Sequence, residues 1–294
     1  MGAAPRCAFF FGQYCRTHFK LWRICIDDAI SPHAERRTPV AKGILVSVAL
    51  AIALFSRAAA AELTMSLGVE YLNWEEDTSP SVTEEGPLIA GGIIFGQNKP
   101  EGLVFSYRGK LYFGGVEYNG AGLFTGTPIS STTYYTGIVN EGQARWRKPI
   151  KGNYHADLVF GLGWDLWTRE LSYFQKEDFS IVYLRLGSEV AVNNTKGWTV
   201  GAGLKYPVFT REDAHLTDIG FDRNPTLEPG GDLSGYAQIG YWFDDKLGLI
   251  GYFESYRFKK SNEEMVNSSF GPGVVFQPAS TMSMLGLKLE YRIK

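Results

Sequence analysis

Near the middle of the second half of the chain the sequence reads Asp213-Ala214-His215. On an extended segment, residues two apart leave the same face. The carboxylate can therefore orient the imidazole, and an imidazole so held can take a proton from water. His155 and Asp157 repeat the spacing. A larger set of ionisable groups recurs at alternate positions: Arg108, Lys110, Glu141, Arg145, Arg147, Asp157, Asp165, Arg169, Arg185, Glu189, Lys205, Glu254, Lys288, Glu290 and Arg292. Both signs are mixed through it. Such a row either pairs with itself as a filling or lines a narrow charged passage. No glycine-rich phosphate loop opens a helix, and no zinc-ligand cluster or nucleophile elbow occurs, so no cofactor is expected. Cys7, Cys15 and Cys25 follow no metal-ligand spacing.

The elements that position these groups are strands. Along Tyr154–Arg169 the even positions are Tyr154, Ala156, Leu158, Phe160, Leu162, Trp164 and Leu166, while the odd ones carry His155, Asp157, Asp165 and Arg169 among glycines. A period of two is that of a β-strand. The same alternation returns in ten runs, among them Leu103–Gly115, Phe179–Val192, Trp198–Val208, Leu233–Asp244, Leu247–Phe258 and Met282–Lys294. In nearly every run the charges share a face with glycines and the other face is apolar. Trp146, Tyr154, Trp198, Tyr241, Phe243 and Tyr291 sit on that apolar face close to turns.

The connections alternate in length. Those over 97–102, 148–153, 193–197 and 244–246 are tight and rich in turn formers. Those over Glu75–Gly86, Tyr118–Thr133, Arg211–Asp232 and Lys259–Ser280 are expected to be long loops, with a shorter one at Leu171–Asp178. A soluble sandwich would put its apolar face inside. Polar-in, apolar-out strands with alternating turns and loops are instead the pattern of a membrane barrel. The expected fold is all-β, a ten-stranded antiparallel up-and-down transmembrane β-barrel over residues 62–294. Both termini are expected in the periplasm, with outer-membrane lipid and lipopolysaccharide as surroundings.

Residues 36–61 have the parts of a cleaved signal peptide: Arg36, Arg37 and Lys42, then an apolar Ile44–Phe55, then Ala59-Ala60-Ala61 before Glu62. Residues 1–35 fit no such signal and are expected to be a leader foreign to the native chain, with translation beginning near Val40. From Glu62 on there are 21 Lys and Arg against 28 Asp and Glu. That balance argues against nucleic acid as a partner.

Two resemblances add expectations. The alternating Leu285, Leu287, Leu289, Tyr291 and Ile293 look like the C-terminal strand of bacterial outer-membrane proteins. This implies recognition by the barrel-assembly machinery, although the chain ends Arg292-Ile293-Lys294 in place of the family's terminal aromatic. The pair Asp213 and His215 is similar to the Asp-x-His of omptins, outer-membrane proteases on ten-stranded barrels. Omptins also have an Asp-x-Asp in the loop after strand three, and Tyr118–Thr133 contains no carboxylate. The function expected first is a non-catalytic outer-membrane barrel, either a narrow channel or a structural or surface-recognition protein. The alternative is an omptin-like hydrolase using Asp213 and His215.

Overall fold

The computed structural model describes residues 61–121, 126–193, 195–269 and 271–293. The expected leader and, but for Ala61, the expected signal peptide lie outside the described residues. Ten long strands form the wall: β1 (Ala61–Glu76), β2 (Val82–Gln97), β3 (Gly102–Ala121), β4 (Pro128–Pro149), β5 (Tyr154–Glu170), β6 (Lys176–Val192), β7 (Gly197–Ala214), β8 (Ser234–Trp242), β9 (Leu247–Phe258) and β10 (Ser280–Ile293). Each pairs antiparallel with its neighbour in sequence, and β1 pairs with β10 to close the sheet. Closure leaves no free edge in the wall.

The outer face is apolar across the closing seam and around the wall. Leu67 stands opposite Leu289, Val69 opposite Leu287 and Tyr71 opposite Leu285. Leu67, Leu162 and Leu285 are 66%, 58% and 65% exposed. A continuous belt of such residues far exceeds what a water-soluble surface carries. At the turn side it is bordered by Trp146, Trp198, Phe243 and Tyr291, all exposed. Trp198 and Phe243 each meet Tyr241 edge-on.

Two of the four expected long loops are short. Pairing of β1 with β2 runs on to Glu76 opposite Val82, and that of β3 with β4 to Ala121 opposite Pro128. The Glu, Thr, Ser and Tyr residues there form strand pairs that project beyond the apolar belt. Loss of apolar alternation marks where the wall leaves the belt, and the strands continue past that point. The other two connections, 215–233 and 259–279, are long, and they pack on each other. A short 3-10 turn (Leu216–Ile219) lies against a hairpin of Glu264–Ser268 and Gly271–Val275, with Leu216 and Val266 buried between them.

One part of the wall is irregular. The β6–β7 register shifts at Val182/Tyr183, beside Pro207, and β7 pairs with β8 only as far as Lys205. Beyond that point Thr226–Leu227 pair with β7 and Gly231–Asp232 with β9, so the 226–232 segment completes the wall. A Cβ on Gly231 would fall 1.9 Å from the Pro207 carbonyl oxygen, so only glycine lets the segment seat.

Inside, three tyrosines lie across glycines of the adjacent strand. Tyr112 is opposite Gly137, Tyr183 opposite Gly163 and Tyr252 opposite Gly286. Added Cβ atoms at those glycines would come within 2.2, 2.1 and 2.3 Å of the rings. Each ring passes over its glycine and delivers its hydroxyl to a carboxylate one strand further on. Tyr112 donates to Asp165 (3.4 Å), Tyr183 to Glu141 (2.7 Å) and Tyr252 to Glu70. Gly163→Val should therefore displace Tyr183 and destabilise the barrel by about 1–3 kcal/mol in denaturant unfolding. Gly142→Ala, where nothing lies within 4 Å of the new atom, should leave the midpoint almost unchanged.

Candidate functional site

Because side chains alternate, every inward residue of the ten strands enters one lumen, and the groups stack in tiers from the turn side to the loop side. The turn-side tier is an open vestibule with a cavity of about 180 Å³, lined by Thr64, Arg108, Arg145, Arg147, His155 and Arg292 among others. Asp157 is shared by Arg145 (3.3 Å) and Arg147 (3.0 Å), and Arg145 also binds Glu189 at 2.9 Å. Lys288 pairs with Glu290 (2.7 Å), and Arg292 pairs with Glu62 (3.2 Å) while stacking on Trp242. His155 Nδ1 faces Asn193 Oδ1, and its Nε2 lies 3.6 Å from Asp157 Oδ2.

The next tier is a charge layer. Glu254 meets Arg185 (3.3 Å) and Lys205 (3.5 Å), Glu141 meets Arg185 (3.5 Å), and Lys110 donates to Glu70 (2.7 Å). Lys205 is 1% exposed and sits 3.6 Å from the centre of the Tyr256 ring. Among the described residues Asp165 takes no arginine partner, although Arg145 and Arg185 stand on the neighbouring strands. It accepts hydrogen bonds from Tyr112 and from Tyr256 (2.9 Å) instead.

Above this the lumen is solid. Leu72, Trp74, Trp167, Phe179, Tyr256, Phe258 and Met282 form one cluster, none more than 4% exposed. Trp167 stacks on Phe179 at 5.1 Å and Tyr256 on Phe258 at 5.9 Å. The cluster is roofed by Arg169, 2% exposed, which binds Glu84 (2.7 Å), Glu177 (2.9 Å) and Glu76 (3.0 Å). Glu84 also accepts from Tyr135 and Thr133, and Glu76 from Trp74.

At the loop-side rim His215 donates through Nε2 to Asp178 Oδ2 (2.9 Å), whose other oxygen accepts from Thr168 (2.5 Å). Asp213 does not orient His215. Its Oδ1 is occupied by Arg211 (2.9 Å) and Thr226 (2.9 Å). The strand has already left its extended path at His215, where the short 3-10 turn begins, so the shared-face rule for residues two apart no longer holds. Further out, Asp222 ties the two long connections together. It accepts from the Asn267 backbone N–H and side-chain amide, both at 2.8 Å. Those two donors hold its carboxyl below the usual carboxylate range.

The fifteen charges of the alternating row are buried or half-buried, arranged in two tiers and a roof. The two residues of the predicted loop pair take separate partners. Glu70 and the tyrosines share the parity of the charges, as in Tyr183 beside Arg185 and Glu254 between Tyr252 and Tyr256, but parity alone does not show that their hydroxyls and carboxylates meet. Glu76 and Glu84 were hidden because the stretch holding them reads as a loop.

A closed barrel with an apolar belt outside and a polar and aromatic filling inside is an outer-membrane-type β-barrel. No protein-family model matches the chain, and no curated protein matches it. Among solved structures the chain is similar to the outer membrane protease OmpT from Escherichia coli, at 10% identity and a TM-score of 0.47, covering 81% of this chain and 98% of that one. An outer membrane channel from Pseudomonas putida F1 has 12% identity and a TM-score of 0.37, covering 79% and 95%. Neisserial surface protein A has 9% identity and a TM-score of 0.33, covering 78% and 96%. A protease, a channel and a surface protein stand side by side here, so no activity follows.

Arg169→Met should leave the carboxylates of Glu76, Glu84 and Glu177 buried without a cation. A loss of about 3–5 kcal/mol in unfolding free energy is expected. Arg211→Gln, which removes an exposed pair with Asp213, should cost no more than about 1 kcal/mol.

Proposed function

We propose that the protein is a non-catalytic integral barrel of the Gram-negative outer membrane that works by surface recognition, its lumen sealed. The turns and both barrel termini then face the periplasm, and the long connections face outward amid lipopolysaccharide. The single observation that carries this reading is the solid aromatic tier: Trp74, Trp167, Phe179, Tyr256 and Phe258 fill the lumen directly beneath the loops. Of the expected alternatives, the surface-recognition barrel accommodates that filling and the narrow channel does not. The packed pair of connections supplies a shaped outer surface, since Arg223 reaches across to Glu264 (2.9 Å) and to the Met265 carbonyl (2.9 Å). Loops held on a rigid barrel are where such proteins carry recognition. The hydrolase reading is weaker, because Asp213 is committed to Arg211 and Thr226 and the segment joining β3 to β4 holds no carboxylate.

In planar bilayers the native barrel should give no single-channel steps above baseline. Discrete steps would overturn the sealed-lumen reading. Orientation is testable because the chain after Cys25 is free of cysteine. Asp218→Cys should react with a polymer-linked maleimide on intact cells, and Lys151→Cys only after the outer membrane is permeabilised. The reverse pattern would invert the topology.

A further inference from the structure

We propose that the turn-side vestibule is a binding site for a small multivalent oxyanion of the phosphate class. The cavity of about 180 Å³ is open at the turn side and closed above by the charge layer and the aromatic tier, so a solute entering it has nowhere further to go. On this measure one water needs roughly 10–15 Å³, so the space has room for a tetrahedral oxyanion and several waters. Five cationic side chains line it: Arg108, Arg145, Arg147, Lys288 and Arg292. The lining carboxylates are three, Glu62, Glu189 and Glu290. Asp157, in the same tier, has no side-chain exposure and is divided between two guanidinium groups.

Arg108 is the decisive residue. Its contacts with Glu141 and Glu254 are 3.7 and 3.8 Å long, and both carboxylates are engaged at shorter range by Arg185. No hydrogen bond from its guanidinium to the described residues is formed, and its side chain keeps 22% exposure toward the cavity. It also borders the small void of about 40 Å³ beneath the aromatic tier, which places it at the vestibule's floor. A guanidinium in two long ion pairs and without a hydrogen bond to the described residues, at the bottom of a cation-rich pocket, matches phosphate geometry. The mouth adds to this. Lys99, Lys148, Lys151, Lys196 and Lys246 are exposed around it, against Glu101, Asp244 and Asp245. A rim of that sign draws anions inward. The site does not depend on the surface-recognition reading or on which side of the membrane the turns face.

Titrating inorganic phosphate into the folded barrel in a non-ionic detergent, by calorimetry at low salt, tests the site. Saturable one-to-one binding is expected, weakened by added sodium chloride and competed by sulfate. Arg108→Gln should weaken it about tenfold or more, the loss of a charge-assisted contact. If that variant fails to fold, Thr64→Phe fills the vestibule without removing a charge and should abolish binding. Mixed micelles containing phosphatidylglycerol distinguish the source: displacement of phosphate by the lipid would assign a headgroup, and no displacement a free anion. Absence of saturable heat across the millimolar range would overturn the proposal, as would equal affinity in Arg108→Gln or Thr64→Phe when folded.

Discussion

The tyrosine that crosses a glycine to reach a carboxylate is the interaction on which the interior depends. A barrel of ten strands encloses a space that single inward side chains only partly fill. A tyrosine opposite a residue with a Cβ would stand upright toward the axis. Opposite glycine it lies down over the neighbouring strand, as Tyr183 does over Gly163, and its hydroxyl lands on Glu141 two strands away. One residue thus covers exposed backbone, fills lumen volume and supplies a donor to a buried acid. Tyr112 and Tyr252 do the same at other places around the wall, and the second spans the closing seam from β9 to β1.

Burying acids is the cost of this arrangement, and the distribution of cations meets it. A lone ionised carboxylate in such an interior would be severely unfavourable. Glu141 and Glu254 share Arg185, Asp157 has two arginines, and three glutamates converge on Arg169. Buried networks of this kind add less net stability than their number suggests, because each charge is first desolvated. Their effect here is positional. Arg169 lies over the Trp74 ring at 5.1 Å and binds acids from β1, β2 and β6, so the roof fixes where three strands stand at the base of the loops.

Much of this was legible in the sequence because lipid enforces a strict period. An outward position within the belt must be apolar, so Leu158, Phe160 and Leu162 declare the face of β5 and by parity place Asp157, Asp165 and Arg169 inside. Outside the belt water accepts either parity, and the signal fades: Glu76 and Glu84 belong to strands yet read as a loop. The solid tier was equally hidden. Trp167 and Phe179 occupy inward positions as apolar residues, and nothing in a single strand says that they meet across β5 and β6 at 5.1 Å. Partner choice within the lumen is a property of register and tilt. For that reason Asp165 could be placed inside from its parity while its two tyrosine donors could not be named.

The position of the seal along the axis has a functional consequence of its own. Had the aromatic tier lain at the turn side, the loops would crown a deep well open at their own end. It lies instead under the loops, and the charged vestibule opens only at the turns. The loop surface and the vestibule therefore share a wall without sharing a solute path. On the proposed reading, recognition at the loops and anion binding in the vestibule would use separate groups, Arg223, Asp222 and Asn267 on one side and Arg108 with its neighbours on the other. A substitution in either set should leave the chemistry of the other intact, because the tier between them, with Trp74, Trp167, Phe179, Tyr256, Phe258 and Met282, belongs to neither.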